Sequence, residues 1–534
     1  MNPRSSPELA RPLVTGAALL SVYDRTGIVP LARALADAGT PLYATGGTRA
    51  HLLAEGIAVH DVGDLTGYPS LFDGRVKTLH PNVFGGILQD RANATHQAEA
   101  REHGIPTIAT VVVNLYPFEM TVAREGATLQ EAIEQIDIGG VSLLRAAAKN
   151  YEHVTVLSDP GQYDTIIAAL GRGGIDHATR RGFATRAFER TAEYDSAIAR
   201  YLESGLVANE LPGSLALTIP IEQPLRYGEN PQDRAAFYLA REAQLPEQLG
   251  GKALSYNNLL DLDATLRLLV PAQRGVPDAQ SGLGAATLPR AAIVKHTVPC
   301  GVAERGTVAE AVREALQADP VSAYGGIIAV DGTIDVATVD QLWDFFLEIV
   351  AAPAFEPAAL ARLRKKKNLR IMRFRAGAPA KIAAELRVRS ALGGVLAEDD
   401  DPQAPPEQWT VVSKRAPSAG EWRDLVFAWD IVRHVKSNGV VLVRDGVSRG
   451  ICAGQTNRVS AVQIAAHRAH EFAAGAACAS DGFFPFADGL VAAADAGCTA
   501  VIAPQGSIRD AEVVAAADAR DIALVFSTYR YFLH

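Results

Sequence analysis

The chain has 534 residues, 48% of them hydrophobic and 21% charged, with a formal net charge of −9. That length exceeds one ordinary hydrophobic core, so two to four domains are expected, and the composition is that of an ordinary globular protein. The mildly acidic balance argues against a nucleic-acid surface, which shows as a basic excess, but allows local basic pockets for phosphates. Cys300, Cys452, Cys478 and Cys498 lack C-x-x-C spacing, which speaks against structural zinc and a disulfide framework and for a reducing cytoplasm. The polar amino terminus, with Pro3 and Pro12, lacks an apolar signal core, and no stretch approaches a membrane span. A cytoplasmic enzyme is expected, partnered by neither nucleic acid nor membrane.

From Ala17 to about Leu206 short apolar runs alternate with helical periodicity. Ala17 to Val22 predicts a strand, Val29 to Ala38 a helix and Pro41 to Ala44 a strand. Thr110–Val113 and Val154–Leu157 predict further strands, and Leu129–Ile136 and Val141–Ala148 helices. Such alternation implies a mostly parallel, doubly wound sheet. Leu211 to Pro224, rich in proline, reads as a linker. Strands are then expected at Ala292–Val294, Gly326–Val330, Gly439–Val443, Ala500–Ile502 and Ile522–Val525. Loops at Pro271–Pro289 and Asp399–Pro406 interrupt this region, and the second divides it into two subdomains. No residue-level repeat is visible, although the two subdomains could share a fold. The expected boundaries are 1–206, a linker at 207–224, then 225–400 and 401–534.

Thr45-Gly46-Gly47-Thr48 follows a strand and precedes the helical stretch Arg49–Glu55. Two glycines let backbone amides converge on an anion, and the helix start adds partial positive charge. A G-G-T loop is a weak signal alone, since many are plain turns. Arg75-Val76-Lys77-Thr78-Leu79-His80-Pro81 is stronger, because Arg75 and Lys77 point the same way if extended. Asn114-Leu115-Tyr116-Pro117-Phe118 puts an amide and a phenol at a strand's carboxyl edge, where Tyr116 reads equally as core packing. Asp137-Ile138-Gly139-Gly140 opens a helix running to Lys149-Asn150. Asp137 reads equally as its N-cap, and a cation such as Lys149 is favoured at a helix end anyway.

Lys295-His296-Thr297-Val298-Pro299-Cys300-Gly301 closes the apolar run Ala291 to Val294. Pro and Gly are expected to break the chain there, leaving a cation beside an imidazole at a strand's carboxyl end, where open α/β sheets place their chemistry. Histidine takes or gives a proton near neutral pH, and a fixed lysine holds a developing oxyanion. Taken alone, a surface Lys-His pair at a turn is the blander reading.

These motifs together resemble a known family: the bifunctional purine biosynthesis proteins with phosphoribosylaminoimidazolecarboxamide formyltransferase and IMP cyclohydrolase activities. The likeness runs nearly end to end. It extends through Leu225-Arg226-Tyr227-Gly228-Glu229-Asn230-Pro231, Leu254-Ser255-Tyr256-Asn257-Asn258, Ser322-Ala323-Tyr324-Gly325-Gly326 and Lys436-Ser437-Asn438. It continues in Gly454-Gln455, Arg458, Phe483-Phe484-Pro485-Phe486, Gly506-Ser507-Ile508-Arg509-Asp510 and Arg530. The resemblance implies a methylglyoxal-synthase-like α/β domain followed by two cytidine-deaminase-like α/β subdomains. It also implies a homodimer with shared transformylase sites and no catalytic metal, and leaves a structural monovalent cation open.

Carried over, the cyclohydrolase site would use Lys77, Tyr116, Asp137 and Lys149. Tyr23, Asp24, Arg25, Thr45, Gly46, Gly47, Thr48, Arg75, Val76, Thr78, Val113, Asn114 and Ile138 would hold the nucleotide. In the transformylase Lys295, His296 and Asn438 would be catalytic. Arg226, Tyr227, Tyr324, Gly325, Glu348, Phe483 and Arg530 would bind the nucleotide. Arg458, Val459, Phe486, Asp488, Ser507 and Ile508 would bind 10-formyltetrahydrofolate, the co-substrate. Departures from the family pattern are Gln232 for a histidine, Val298 for an asparagine, Glu398 for a glutamine, Tyr531 and Phe84 for histidines, and Tyr23 for a serine. The alternatives are a cyclohydrolase with an impaired or differently supplied transformylase, and a nucleotide-binding regulator without turnover.

Overall fold

The computed structural model describes residues 16–69, 71–72, 75–124, 126–172, 174–204, 211, 213–215, 218–239, 245–271, 288–399 and 407–534. The chain forms two compact units, one ending at Pro220 and one beginning at Ile221. The predicted loops at 271–289 and 399–406 lie almost wholly outside the described residues. Among the described residues no helix is long and apolar enough to cross a membrane.

The first unit is built on a five-stranded parallel sheet of β1 (Ala17–Val22), β2 (Leu42–Ala44), β3 (His60–Asp61), β4 (Ile108–Asn114) and β5 (Thr155–Leu157). Its order is β3-β2-β1-β4-β5. Successive side chains of a strand face opposite ways. Leu19, Val111 and Val113 therefore enter one apolar cluster, while Ala18, Leu20 and Val112 enter another on the other face. The helix His177–Ser204 covers the first cluster with Ala184, Ala187 and Tyr194.

The second unit is dominated by a twelve-stranded sheet. Its strands are β6 (Glu247–Gly250), β7 (Arg290–Lys295), β8 (Val298–Glu304), β9 (Ile327–Val330), β10 (Ile349–Ala352), β11 (Arg370–Arg373), β12 (Trp409–Val411), β13 (Val440–Arg444), β14 (Val447–Cys452), β15 (Ala477–Ser480), β16 (Ala500–Pro504) and β17 (Ala523–Ser527). The order is β12-β17-β16-β15-β13-β14-β8-β7-β9-β10-β11-β6. Each half reads the same outward from the β8–β14 junction, where Ala303 pairs with Val447. An antiparallel hairpin is followed by one antiparallel step, two parallel steps and an antiparallel edge strand.

The helices repeat as well. Tyr256–Arg267 precedes β7 and Val308–Ala318 follows β8, just as Ala419–Val432 precedes β13 and Arg458–Ala469 follows β14. On one face a single core spans both halves, with Leu262, Val294, Trp422, Trp429 and Val441 among its members. On the other face each half has its own cluster.

Two expectations are corrected. The prolyl linker does not extend to 224, because Ile221–Leu225 is a strand paired with Ala235–Tyr238; Pro224 fits because a two-stranded ribbon leaves an edge that needs no further donor. Pro299 and Gly301 do not break the chain either. The strand β8 runs through both, with a register shift between them that absorbs the missing proline donor.

Candidate active sites

In the first unit the strand order reverses between β1 and β4, and open α/β sheets bind ligands where such a reversal opens a crevice at the strands' carboxyl ends. The loops there are Tyr23-Asp24-Arg25 after β1, Thr45-Gly46-Gly47-Thr48 after β2 and Leu115-Tyr116 after β4. Asn114 ties two of them together. Its side-chain oxygen accepts from the amides of Tyr23 and Asp24 at 2.6 and 2.9 Å, and its nitrogen donates to the Asp24 carbonyl at 2.8 Å. The rings of Tyr23 and Tyr116 meet edge to face at 5.7 Å.

Gly46 and Gly47 open the helix Gly46–Ala54, which has no side-chain cap at Thr45. The Lys77 ammonium lies 3.3 Å from where a Cβ on Gly46 would stand, and an Arg25 guanidinium nitrogen lies 3.2 Å from the same point on Gly47. Two cations and uncapped amides converge there, which suits an anion. Burial holds the Lys77 ammonium below the usual lysine range, against the attraction of Asp61.

Thr48 serves otherwise than expected. Its buried hydroxyl bonds the amide and carbonyl of Val22 at 3.0 and 3.1 Å, so it fastens the helix to β1. Val113 is 1% exposed in the core, which leaves only its backbone for a ligand. Arg75 pairs with Glu134 at 2.5 Å, and Val76 beside it is exposed.

Asp137 stands just before the helix Gly139–Lys149 and accepts from the Gly140 amide at 2.6 Å. It is not the N-cap of the expectation, a position held by Ile138, but it satisfies a first-turn amide from just outside the helix. It is also more: burial holds its carboxyl above the usual carboxylate range although the amides of Gly140 and Tyr116 donate to it. The Tyr116 phenol is pushed up by burial and then by the Asp137 charge. Tyr194, which sequence reasoning missed, fixes this loop by accepting from the Asp137 amide at 2.8 Å and donating to the Gln135 carbonyl at 2.7 Å. Thr78 reaches the same helix start, its hydroxyl 3.0 Å from a Cβ on Gly139, beside exposed Ile138.

Lys77, Thr78, Tyr116 and Asp137 are thus brought together, and Lys149 is not. It lies in the last turn of the helix that Asp137 precedes, and a rise of ~1.5 Å per residue puts it about 15 Å from that helix's start.

In the second unit Lys295 and His296 stand at the β7–β8 turn. Lys295 Nζ donates to the Tyr324 carbonyl at 2.7 Å and lies 4.0 Å from a Cβ on Gly325. Tyr324 packs on Phe345 and Phe346. Glu348 is held to the same place by its amide's bond to the Gly326 carbonyl at 2.9 Å and by an ion pair with Arg370 at 2.6 Å. Lys295, His296 and Val298 line a cavity of about 400 Å³ with Asp319, Arg449, Arg468 and Gln455. Cys300 also lines it; burial, with nearby Asp319, pushes its thiol up to about 12, so it offers no thiolate near neutral pH.

Asn438 connects to this cavity through Gln455, donating to its carbonyl from the backbone at 3.0 Å and the side chain at 2.7 Å. Arg458 meets buried Asp481. The aspartate accepts from Arg458 and from the Ser437 hydroxyl, and its carbonyl accepts from the Tyr531 amide at 3.0 Å. Arg458, which starts its helix next to Val459, lies under the loop carrying Phe483, Phe486 and Asp488. Phe486 is covered by Arg509, 4.8 Å from its ring, next to Ser507 and the fully exposed Ile508. Arg530 stacks on Phe532, whose ring reaches the Gly482 backbone.

Arg226 and Tyr227 stack on each other at 5.0 Å, and neither lines the cavity. Of the departures, only Val298 lines it. Gln232 is exposed in the Asn230–Asp233 turn, Glu398 is exposed and 3.5 Å from Arg387, and Tyr531 donates to Glu407 at 3.1 Å. Phe84 packs against the first unit's core. Among the described residues no cluster of His, Cys, Asp or Glu is arranged to hold a metal ion.

Known proteins match both units of the chain. The family described as AICARFT/IMPCHase bienzyme matches residues 147–468, and the MGS-like domain family matches residues 27–142. Proteins named bifunctional purine biosynthesis protein PurH are similar along almost the whole chain. The one from Halalkalibacterium halodurans is 45% identical, the one from Synechococcus 46% and the one from Prochlorococcus marinus 47%, each over 97% of this chain and 99% of the relative. A solved chain titled "Crystal structure of ForH" is 36% identical over 35% of this chain and 98% of its own length, with a TM-score of 0.31. With its methylglyoxal-synthase-like unit, its sheet unit and relatives matched from end to end, the chain belongs to the AICARFT/IMPCHase bienzyme family of bifunctional purine biosynthesis enzymes.

Proposed function

We propose that the two units divide the family's two reactions, the last two steps of IMP synthesis. The observation that carries this reading is that each unit holds its own cationic site: Lys77 with Tyr116 and Asp137 in the first, Lys295 with His296 in the second. The cyclohydrolase is assigned to 1–206, and the repeated strand order of the second unit's sheet supports two cytidine-deaminase-like transformylase halves divided at about 400, the first beginning at Ile221 rather than at 225.

In formyl transfer the 5-amino nitrogen of aminoimidazole carboxamide ribotide attacks the formyl carbon of 10-formyltetrahydrofolate. His296 takes the amine's proton, Lys295 stabilises the tetrahedral oxyanion, and tetrahydrofolate leaves as the bond between its N10 and the formyl carbon breaks, that nitrogen taking up the proton which His296 returns. Asn438 acts beside the amine. Tyr324, Gly325, Glu348, Phe483 and Arg530 bind the nucleotide, and the loops of Phe486, Asp488, Ser507 and Ile508 above Arg458 and Val459 bind the folate.

In ring closure the carboxamide nitrogen attacks the new formamide carbon and water is lost. Both reactants are tethered, so the site orients them and steadies the oxyanion. Lys77 and Arg25 hold anionic oxygens over Gly46 and Gly47, and Asp137, next to Tyr116, accepts a proton. Lys149 is left to a supporting role at the far end of its helix.

The likeness to the bifunctional family supports a homodimer in which a second copy completes each transformylase site. The test is direct: purified protein with aminoimidazole carboxamide ribotide should form IMP only when 10-formyltetrahydrofolate is added. No product with the folate present would refute the reading.

A further inference from the structure

The two halves of the sheet unit carry the same turn, and only one copy has residues suited to it. His296 and Thr297 join β7 to β8 with φ of 55° and 60°; Asp445 and Gly446 join β13 to β14 with φ of 54° and 68°. A two-residue hairpin turn with both φ positive favours Asp-Gly, the pair in the second copy. A β-branched threonine in that conformation is an outlier.

The correspondence continues outward. Lys295 donates to the Tyr324 carbonyl at 2.7 Å, and Arg444 donates to the Ala474 carbonyl at 2.8 Å. Gly301 and Gly450 each lie where a Cβ would meet a helix carbonyl at 2.0 Å, that of Ala315 or Ala465. The helices Tyr256–Arg267 and Ala419–Val432 begin with capping boxes at Ser255 and Ser418. Six residues after each cap stands an aspartate. Asp261 accepts from the amides of His296 and Thr297 at 3.3 and 2.6 Å, and Asp424 accepts from those of Asp445 and Gly446, both at 2.8 Å.

Strained backbone persists only where its surroundings over-determine it, and it collects at functional sites. In the second copy the aspartate closes a hairpin whose Asp-Gly pair suits the turn. In the first copy the same clamp holds a turn that disfavours its own residues. We infer that Asp261 is the positioning residue for formyl transfer, fixing the turn that presents His296 to the reacting amine. This rests on the assignment of His296 above.

Full-length Asp261→Ala, Asp424→Ala, His296→Ala and the Asp261→Ala/His296→Ala double variant test it, each assayed for formyl transfer, ring closure of pre-formylated ribotide and Tm. Both aspartate variants should lower Tm by similar amounts. Only Asp261→Ala should lower kcat for transfer, by about a hundredfold, as expected when a reacting group shifts by an ångström. Its KM for the ribotide should stay within about twofold and its ring closure should be unchanged. The double variant should be no slower than His296→Ala, since both changes remove one function.

Asp261→Asn, which keeps a single acceptor oxygen, should lose about tenfold and serves where the alanine variant does not fold. A transfer rate in Asp261→Ala equal to that in Asp424→Ala would overturn the proposal and leave the His296 assignment standing. So would a double variant slower than His296→Ala by the full Asp261→Ala factor. Normal transfer by His296→Ala would overturn both together.

Discussion

Lys77 and Gly46 occupy one point in the first unit: the lysine's ammonium stands 3.3 Å from where any side chain on the glycine would begin. Neither glycine of this loop is used for a positive φ; Gly46 is small so that a cation can lie over an open helix end. Gly46→Ala should leave the fold intact, because alanine favours a helix more than glycine does. The added methyl displaces the ammonium from the uncapped amides, so KM for the formylated ribotide should rise by about tenfold, or ~1.4 kcal/mol. Steady-state ring-closure kinetics check this, and an unchanged KM would remove Lys77 from the anion site.

The pH dependence of ring closure follows from two shifted groups. Burial lowers the Lys77 ammonium, so its charge is lost at a pH below the usual lysine range and the alkaline limb of kcat/KM should begin early. Lys77→Arg keeps the charge and should move that limb upward. Burial raises the Asp137 carboxyl, so the proton-accepting form is lost as pH falls through a value above the usual ~3.9, and the acid limb should lie above it. A pH profile from about 4 to about 11 decides both.

Asp481 is completely buried against Arg458. Removing one partner leaves a buried charge uncompensated, which costs about 3–5 kcal/mol. Asp481→Asn should therefore lower the denaturation midpoint of the sheet unit and abolish formyl transfer. Ring closure should persist below the new midpoint, as urea titration followed by both assays would reveal. Loss of less than about 1 kcal/mol would mean that Arg458 is compensated by other groups.

Among the family departures, Val298 lines the cavity with Lys295 and His296, whereas Gln232 is exposed in a turn. Val298→Asn restores an amide beside the pair and should raise the transfer rate by about tenfold. Gln232→His should change it by less than about twofold, since surface substitutions rarely carry more. A larger effect from Gln232→His, measured in the same transfer assay, would place that turn at the reacting centre.

Much of this architecture was legible in the sequence. The central strands β1 and β4 of the first sheet are buried on both faces and read as largely apolar runs, so β1 at Ala17–Val22 coincides with its predicted extent. The glycine loops and the basic run around Lys77 were also readable, because chemistry that binds anions needs those residue types. Three things were hidden for physical reasons. Thr48 faces inward to Val22, and sequence does not say which way a hydroxyl turns. Lys149 is separated from Asp137 by the length of a helix whose periodicity was plain but whose role as a spacer was not. The repeat of the sheet unit rests on hairpin geometry and a few sparse positions such as Asp261 and Asp424, and backbone geometry can be duplicated while nearly every side chain changes.

The division of labour between the units is the central claim, and two full-length variants measure it together: Lys77→Ala and His296→Ala, each assayed for formyl transfer and for ring closure of pre-formylated ribotide. The account predicts crossed losses, with Lys77→Ala losing ring closure by about a hundredfold or more and keeping transfer, and His296→Ala losing transfer and keeping ring closure. Parallel loss of both activities in either variant, in protein whose Tm is unchanged, would contradict it.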